Sequence, residues 1–436
     1  MSNSAVISNR IYLTKTKEVF KNCTDALTYK IQSPRPMTPP EIFMDVALVG
    51  SSVLSLPVSR VDLIPPDYNI IEKRVLAPVT LPDPKVALRP DQVDIYDQVD
   101  DNCIINAKPG WGKTFVGLHI AKKLGQKTLV VVHNTALRDQ WVAETQKLFG
   151  FTPGIIGTGK FQTDTPIVIS NTQTLAKHML KYNKMFGTVI ADEVHRVPSS
   201  MFKSIVDTSY ARYKIGLSAT LGRKDNKHVI IPDYFSRDYH IPTNDTAMKP
   251  KVYLIQTDLK YPKASGRAYT NYVTKITALM EDPGYRQLII DIVKIKADEG
   301  HKVLILADRV SFINDCAEMV PHSAAVTSET KDRLEIHKKI YEEEIRCLWG
   351  TTSIYKEGIS INPLSCVVLA SPINNVFLLE QIIGRVTRPH KYDTDSVKLQ
   401  PEIIDIVLNE RTSKVQLGTR IEHYLAKNYE IIRVQA

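Results

Sequence analysis

The run Ala107-Lys108-Pro109-Gly110-Trp111-Gly112-Lys113-Thr114 has the spacing of a phosphate-binding loop, with Ala107 where a first glycine usually stands. Gly110 and Gly112 leave room for backbone N–H groups to approach phosphate oxygens, and a helix beginning just beyond them presents its positive end to the same anion. Lys113 is the ammonium for β- and γ-phosphates, and Thr114 the hydroxyl that holds Mg²⁺. About 80 residues further on, Asp192-Glu193-Val194-His195 ends a short apolar run. One carboxylate at a strand end can hold Mg²⁺ through water, and its neighbour can orient a water for in-line displacement, so Asp192 and Glu193 take those roles. Alone, the loop could be a glycine-rich turn with a chance lysine and the pair a solvated turn. Together, in that order, they read as the two halves of a nucleotide-hydrolysis site.

Such groups need a parallel sheet to bring them together. From residue 88 onward, apolar runs of four to six residues alternate with amphipathic stretches. That rhythm predicts repeated strand–helix units. Strands are predicted at 103–106, 128–132, 166–170, 188–191 and 213–217, and a helix at 115–124 that ends at Gly125. The stretch 231–250 carries prolines close to polar residues and reads as a connection. Beyond it strands recur near 252–256, 303–307, 345–348, 366–369 and 403–407. The fold class is therefore α/β, two tandem lobes with parallel sheets. Residues 1–85, rich in proline with short β-like runs such as 10–13, form a small separate α+β domain. The division is 1–85, 86–240 and 241–436.

A chain of 436 residues with 43% hydrophobic and 24% charged residues is ordinary for a globular protein of several domains. No apolar run approaches the ~18 residues of a membrane span, so a membrane role is not expected and the cytoplasm, or the nucleus, is the expected compartment. The five cysteines form no Cys-x-x-Cys pair, which argues against a disulfide framework or a zinc site. The net charge of +9 favours an anionic partner.

Three motifs carry a resemblance. Asp192-Glu193-Val194-His195, Ser218-Ala219-Thr220 and Gln381-Ile382-Ile383-Gly384-Arg385-Val386-Thr387-Arg388 are similar, in order and spacing, to motifs II, III and VI of superfamily 2 helicases. The stretch Trp349-Gly350-Thr351-Thr352 through Gly358-Ile359-Ser360-Ile361 resembles the UvsW-type phage branch-migration helicases, and Gly216-Leu217-Ser218-Ala219-Thr220-Leu221 the XPB-type branch. The likeness spans residues 88–390, and implies two RecA-like lobes with ATP and Mg²⁺ as cofactors. It also implies roles. Arg385 and Arg388 are arginine fingers for the γ-phosphate; three apart on a helix, they could point the same way. Gln381 belongs to the same catalytic motif. Gln92, in Leu88-Arg89-Pro90-Asp91-Gln92, is the adenine-reading amide. Ser218, Ala219, Thr220, His195 and Gly358 couple hydrolysis to movement.

The resemblance also assigns the strand grip. His133-Asn134-Thr135 follows one predicted strand and Thr172-Gln173 another, while Arg309 and Thr351-Thr352 hold corresponding places in the second lobe. Hydroxyl, amide and N–H groups at strand ends grip phosphates without reading bases. Trp141 reads as core packing. The expected partner is DNA, single-stranded and branched, moved along 3′→5′ as the lobes close on ATP, with RNA less expected and the oligomeric state open. An RNA or transcription-complex remodeller, or a duplex clamp that separates no strands, are the competing functions.

Overall fold

The computed structural model describes residues 3–32, 38–196, 200–219, 222, 226–242, 247–262, 271–355, 361–390 and 398–436. Thr220 and Gly358, both singled out above, lie outside the described residues. Two compact units are present: Met1–Lys108 with Gly112–Asp245, and Pro109–Trp111 with Thr246–Ala436.

The first unit is built on an eight-stranded sheet in the order Lys160–Phe161, Gly154–Gly157, Ile167–Asn171, Thr128–Val132, Thr188–Asp192, Tyr213–Ser218, Cys103–Asn106, Tyr239–His240. All pairings are parallel except the Gly154–Gly157 to Lys160–Phe161 hairpin. The sequence makes this inevitable in the middle of the sheet. Thr128–Val132 and Thr188–Asp192 are buried at every position, and a strand covered on both faces reads as a near-continuous apolar run rather than an alternating one. The helix Lys113–Leu124 stops where expected, at Gly125, which adopts the left-handed backbone (φ 60°) that glycine accepts without cost.

The connection expected at 231–250 begins later than its prolines suggest. Residues 227–233 form a 3₁₀ segment whose Ile230 and Ile231, with Tyr234 and Phe235 just beyond, are buried in the core of this unit, and Tyr239–His240 adds an edge strand beside Cys103–Asn106. Burial of these four side chains outweighs the breaker signal of Pro232.

The N-terminal region has its own five-stranded sheet, ordered Ala47–Val49, Val53–Leu56, Ile11–Thr14, Ser4–Ile7, Asn69–Glu72, with the helix Lys17–Ala26 packed on it. It belongs to the same compact unit as the eight-stranded sheet because charged groups tie them. Arg10 makes bonds of 2.8 and 2.9 Å to Asp207, Lys203 donates to Asp45 at 3.3 Å, and the Tyr29 hydroxyl donates to Asp233 at 2.5 Å.

The second unit carries a seven-stranded, wholly parallel sheet in the order Ser323–Val326, Cys347–Thr351, Val303–Ala307, Cys366–Leu369, Glu402–Val407, Lys251–Gln256, Glu430–Gln435. The last strand is half-exposed, which hid it from a search for buried apolar runs. A buried pair braces this unit: Arg420, on the helix Arg411–Ala426, donates to both oxygens of Asp405 at 2.8 and 2.9 Å and to the Ile373 carbonyl at 3.2 Å.

Candidate active site and nucleic-acid interface

Three adjacent strands of the first unit end side by side. Cys103–Asn106 leads into the phosphate loop, Thr188–Asp192 into Glu193, and Tyr213–Ser218 into Ala219, with register pairs Ser218↔Asn106 and Asp192↔Leu217. Ligands of open α/β sheets bind outside these carboxyl ends. Gly110 and Gly112 have φ of 88° and 99°, and a Cβ on Gly112 would lie 2.6 Å from the Gln92 Nε2. Only glycine fits that position. Gln92 thus lies against the loop; its Oε1 accepts from the Arg89 N–H at 3.0 Å, closing the start of the helix Pro90–Gln98. Lys108, Pro109 and Trp111 form the body of the loop. Lys113 and Thr114 are the first two residues of the next helix, and the Lys113 ammonium donates to the carbonyls of Ala107 (2.7 Å) and Lys108 (3.3 Å).

Opposite stands the acidic pair. Asp192 is buried; its Oδ1 accepts from the Glu193 backbone N–H at 2.9 Å and its Oδ2 from the Trp141 indole N–H at 2.8 Å. Burial and the neighbouring Glu193 push the Asp192 carboxyl up, against the pull of Trp141 and Lys113. For Glu193 burial also pushes upward, but His195 and Lys113 outweigh it and hold the carboxyl down at about 2. His195 Nδ1 lies 3.1 Å from Glu193 Oε2 and 3.2 Å from the Ser218 hydroxyl, so one imidazole touches both motif II and motif III. Glu193 itself has φ 55°, a left-handed backbone that is uncommon for a residue with a side chain and is the kind of strain that collects at functional sites.

Lys113, Asp192, Glu193, His195 and Ser218 are therefore gathered around one another, as their sequence order implied. Two groups were not foreseen there: Trp141, and His133, whose charge also bears on Glu193. Hard oxygen donors, the Asp192 carboxylate and the Thr114 hydroxyl, together with a loop narrowed to glycine, fit a magnesium nucleotide.

In the second unit Gln381 and Arg385 lie four residues apart on the helix Val376–Val386 and so share a face. Arg388 does not lie on that helix. The helix ends at Val386 with Thr387 as its cap, because Pro389 disfavours helical backbone in the residue before it. A turn carries Arg388 instead, held by the buried Lys398, whose Nζ donates to the carbonyls of Arg388 and Asn362 at 2.8 Å each.

The residues assigned to strand grip also lie at carboxyl ends. Asn134 caps the helix Thr135–Phe149, accepting from the Leu137 N–H at 2.8 Å, and the Thr135 hydroxyl is 3.4 Å from the Asn171 amide on the neighbouring strand. Gln173 is exposed beside them, but the Thr172 hydroxyl is buried and donates to the Val132 carbonyl at 2.9 Å, so its side chain serves the fold. Arg309 likewise spends its guanidinium on Thr277, Asp308 and Val273. Thr351 ends the strand beside Val303–Ala307, the strand that precedes Arg309, in register Ala307↔Thr351, and Thr352 opens the short helix that follows; the Thr351 hydroxyl is 3.1 Å from that of Ser353, and Thr352 is buried.

Residues 79–223 match the family of the type III restriction enzyme res subunit, and residues 285–390 the helicase conserved C-terminal domain. "Probable helicase D10" of Escherichia phage T5 is 38% identical over 437 residues, covering 98% of this chain and 95% of its own. "ATP-dependent DNA helicase uvsW" of Enterobacteria phage T4 is 25% identical over 362 residues, covering 73% of this chain and 70% of its own. Among solved structures, a leucine-to-valine variant of S. cerevisiae Dbp5 bound to RNA and ADP BeF3 matches with a TM-score of 0.57 at 11% identity, over 80% of this chain and 95% of the other. That last likeness is one of fold, two RecA-like domains.

Proposed function

Because the chain belongs to the superfamily 2 helicases and is an ATP-hydrolysing enzyme of that family, we propose that it works on DNA, moving 3′→5′ and remodelling branched structures such as forks and four-way junctions. One observation carries the hydrolytic half of this reading: three parallel strand ends bring Lys113, Asp192, Glu193, His195 and Ser218 together in one compact unit. Support for DNA comes from the uvsW relative, which is named as a DNA helicase, and from the likeness of residues 349–361 to the UvsW-type helicases.

In this mechanism the loop N–H groups and the Lys113 ammonium receive the β- and γ-phosphates, while Thr114 and Asp192 would hold Mg²⁺. Bound there, the metal would neutralise phosphate charge. Glu193, kept ionised by His195 and Lys113, orients the attacking water and takes its proton. Gln92 reads the adenine edge. Arg385 and Arg388 supply positive charge to the γ-phosphate, and Gln381 completes their motif. His195 relays the state of Glu193 to Ser218 at the end of the next strand. Asn134, Thr135 and Gln173 contact the strand in the first lobe, and the backbone at Thr172 accompanies them. In the second lobe Arg309, Thr351 and Thr352 mark the corresponding contact points. Binding of this kind follows the sugar–phosphate backbone and weakens with salt.

Steady-state hydrolysis with no polymer, single-stranded DNA, a four-way DNA junction and single-stranded RNA tests the proposal. DNA stimulation that is strongest with the junction and lost in Lys113→Ala supports it; stimulation by RNA alone replaces DNA with RNA as the substrate.

A further inference from the structure

Trp141 sits at the middle of the helix Thr135–Phe149 with no exposed surface. A phenyl or aliphatic group would fill such a place without raising a polar problem, whereas a buried indole N–H must find an acceptor. Here the acceptor is Asp192 Oδ2 at 2.8 Å, 51 residues away in sequence. The other carboxylate oxygen is taken by the Glu193 N–H at 2.9 Å. Each oxygen therefore has one donor fixed by the protein, and the plane of the carboxylate is set. The far edge of the indole is fixed as well: a Cβ built on Gly117, in the helix that starts at Lys113, would lie 3.0 Å from Trp141 Cη2 and 3.2 Å from Leu217 Cδ1. The ring is thus wedged between the phosphate-loop helix and the acidic strand, and its width spaces them.

We propose that Trp141 is a positioning residue of the hydrolysis site, its indole N–H aiming the Asp192 carboxylate at the metal while its ring sets the distance from that carboxylate to the phosphate-loop helix. The inference rests on the reading of Asp192 as the Mg²⁺-holding group. Magnesium demands near-ideal octahedral geometry, so a carboxylate free to rotate binds it less well. Donors that orient a metal-holding group are typically worth about 10–100-fold in metal affinity or activity.

Trp141→Phe removes the N–H and keeps most of the ring. The readout is the Mg²⁺ concentration that half-saturates binding of a fluorescent ATP analogue, followed by anisotropy, beside DNA-stimulated kcat and thermal unfolding by circular dichroism. With the fold retained, the half-saturating Mg²⁺ concentration rises about 10–100-fold and kcat falls by a similar factor. Both quantities within twofold of the wild type would overturn the proposal. If the Phe variant does not fold, site-specific replacement of Trp141 by benzothienylalanine, which exchanges only the N–H for sulfur, gives the same two outcomes. Asp192→Asn, run in the same titration, separates the two layers of the argument. A defective Asp192→Asn with a normal Trp141→Phe removes only the role of the indole; an Asp192→Asn that responds to Mg²⁺ like the wild type removes the metal-site reading and the proposal together.

Discussion

Replacing Arg420 by Met should be the most damaging single change outside the active site. Arg420 and Asp405 each show only 2% of their side-chain surface, and the pair is bidentate at 2.8 and 2.9 Å. The variant keeps the volume of the side chain but leaves the Asp405 carboxylate buried with the Tyr424 hydroxyl, 3.0 Å away, and no cation. Breaking one side of such a pair costs about 3–5 kcal/mol. Loss of the 3.2 Å bond to the Ile373 carbonyl adds on the order of 1 kcal/mol. Against a typical stability of roughly 5–15 kcal/mol that is a large share. The double variant Arg420→Met with Asp405→Leu removes both charges, so it should recover a good part of the loss, though the Tyr424 hydroxyl and Ile373 carbonyl still lack partners. The assay is urea unfolding of the four proteins of the cycle, following the transition that contains the second lobe. Because Ile373 lies just before the helix that carries Gln381 and Arg385, stimulated hydrolysis should fail at the same urea concentration as that transition. A cost below about 1 kcal/mol for Arg420→Met, or a double variant no more stable than the single one, would refute the reasoning.

Three further outcomes follow from the geometry. Glu193→Gln should lower hydrolysis by roughly 10²–10⁴-fold with little change in nucleotide binding, read from steady-state turnover beside nucleotide anisotropy, because His195 and Lys113 hold the Glu193 carboxyl down in its ionised form. Arg388→Ala should cut stimulated kcat by about 10³–10⁵-fold at nearly constant binding of single-stranded DNA, measured by anisotropy beside turnover. Lys214, buried on the strand Tyr213–Ser218 with its Nζ on the Val206 carbonyl, is pushed by burial down to about 7 from 10.5, with Asp207 opposing. Its folded form binds fewer protons than the unfolded chain between those values, so its contribution makes stability rise with pH from 7 to 10.5 by up to about 1.4 kcal/mol per pH unit. Denaturant midpoints of the wild type and Lys214→Met should therefore converge or cross in favour of the wild type as pH rises through that window; a constant difference would contradict it.

The parts of this molecule that sequence makes plain are those whose physics is local. Cys103–Asn106 and Thr128–Val132 are visible because strands buried on both faces along most or all of their length read as near-continuous apolar runs. Gly112 and Gly125 are visible because their backbone angles suit glycine alone. Edge elements are different. Tyr239–His240 spans two residues and Glu430–Gln435 is half-exposed, so neither offers a periodic signal. The helix end before Arg388 was written in Pro389, yet the spacing of the two arginines suggested a continuous helix. Thr172 and Arg309 stand at the right strand ends, but the carbonyls and hydroxyl that occupy their side chains come from other elements, at Val132, Val273 and Thr277. The bond from Trp141 to Asp192 had no local signal at all. It depends on how a helix is laid across a sheet, and only the assembled fold brings donor and acceptor together.

The central claim is that hydrolysis at Lys113, Asp192 and Glu193 is spent on rearranging branched DNA. The most direct measurement follows a labelled four-way junction on native gels with ATP and Mg²⁺, for the wild type and Glu193→Gln. The account predicts ATP-dependent conversion of the junction to duplex arms by the wild type and none by the variant. A wild type that hydrolyses ATP in the presence of the junction yet leaves it intact would contradict the account.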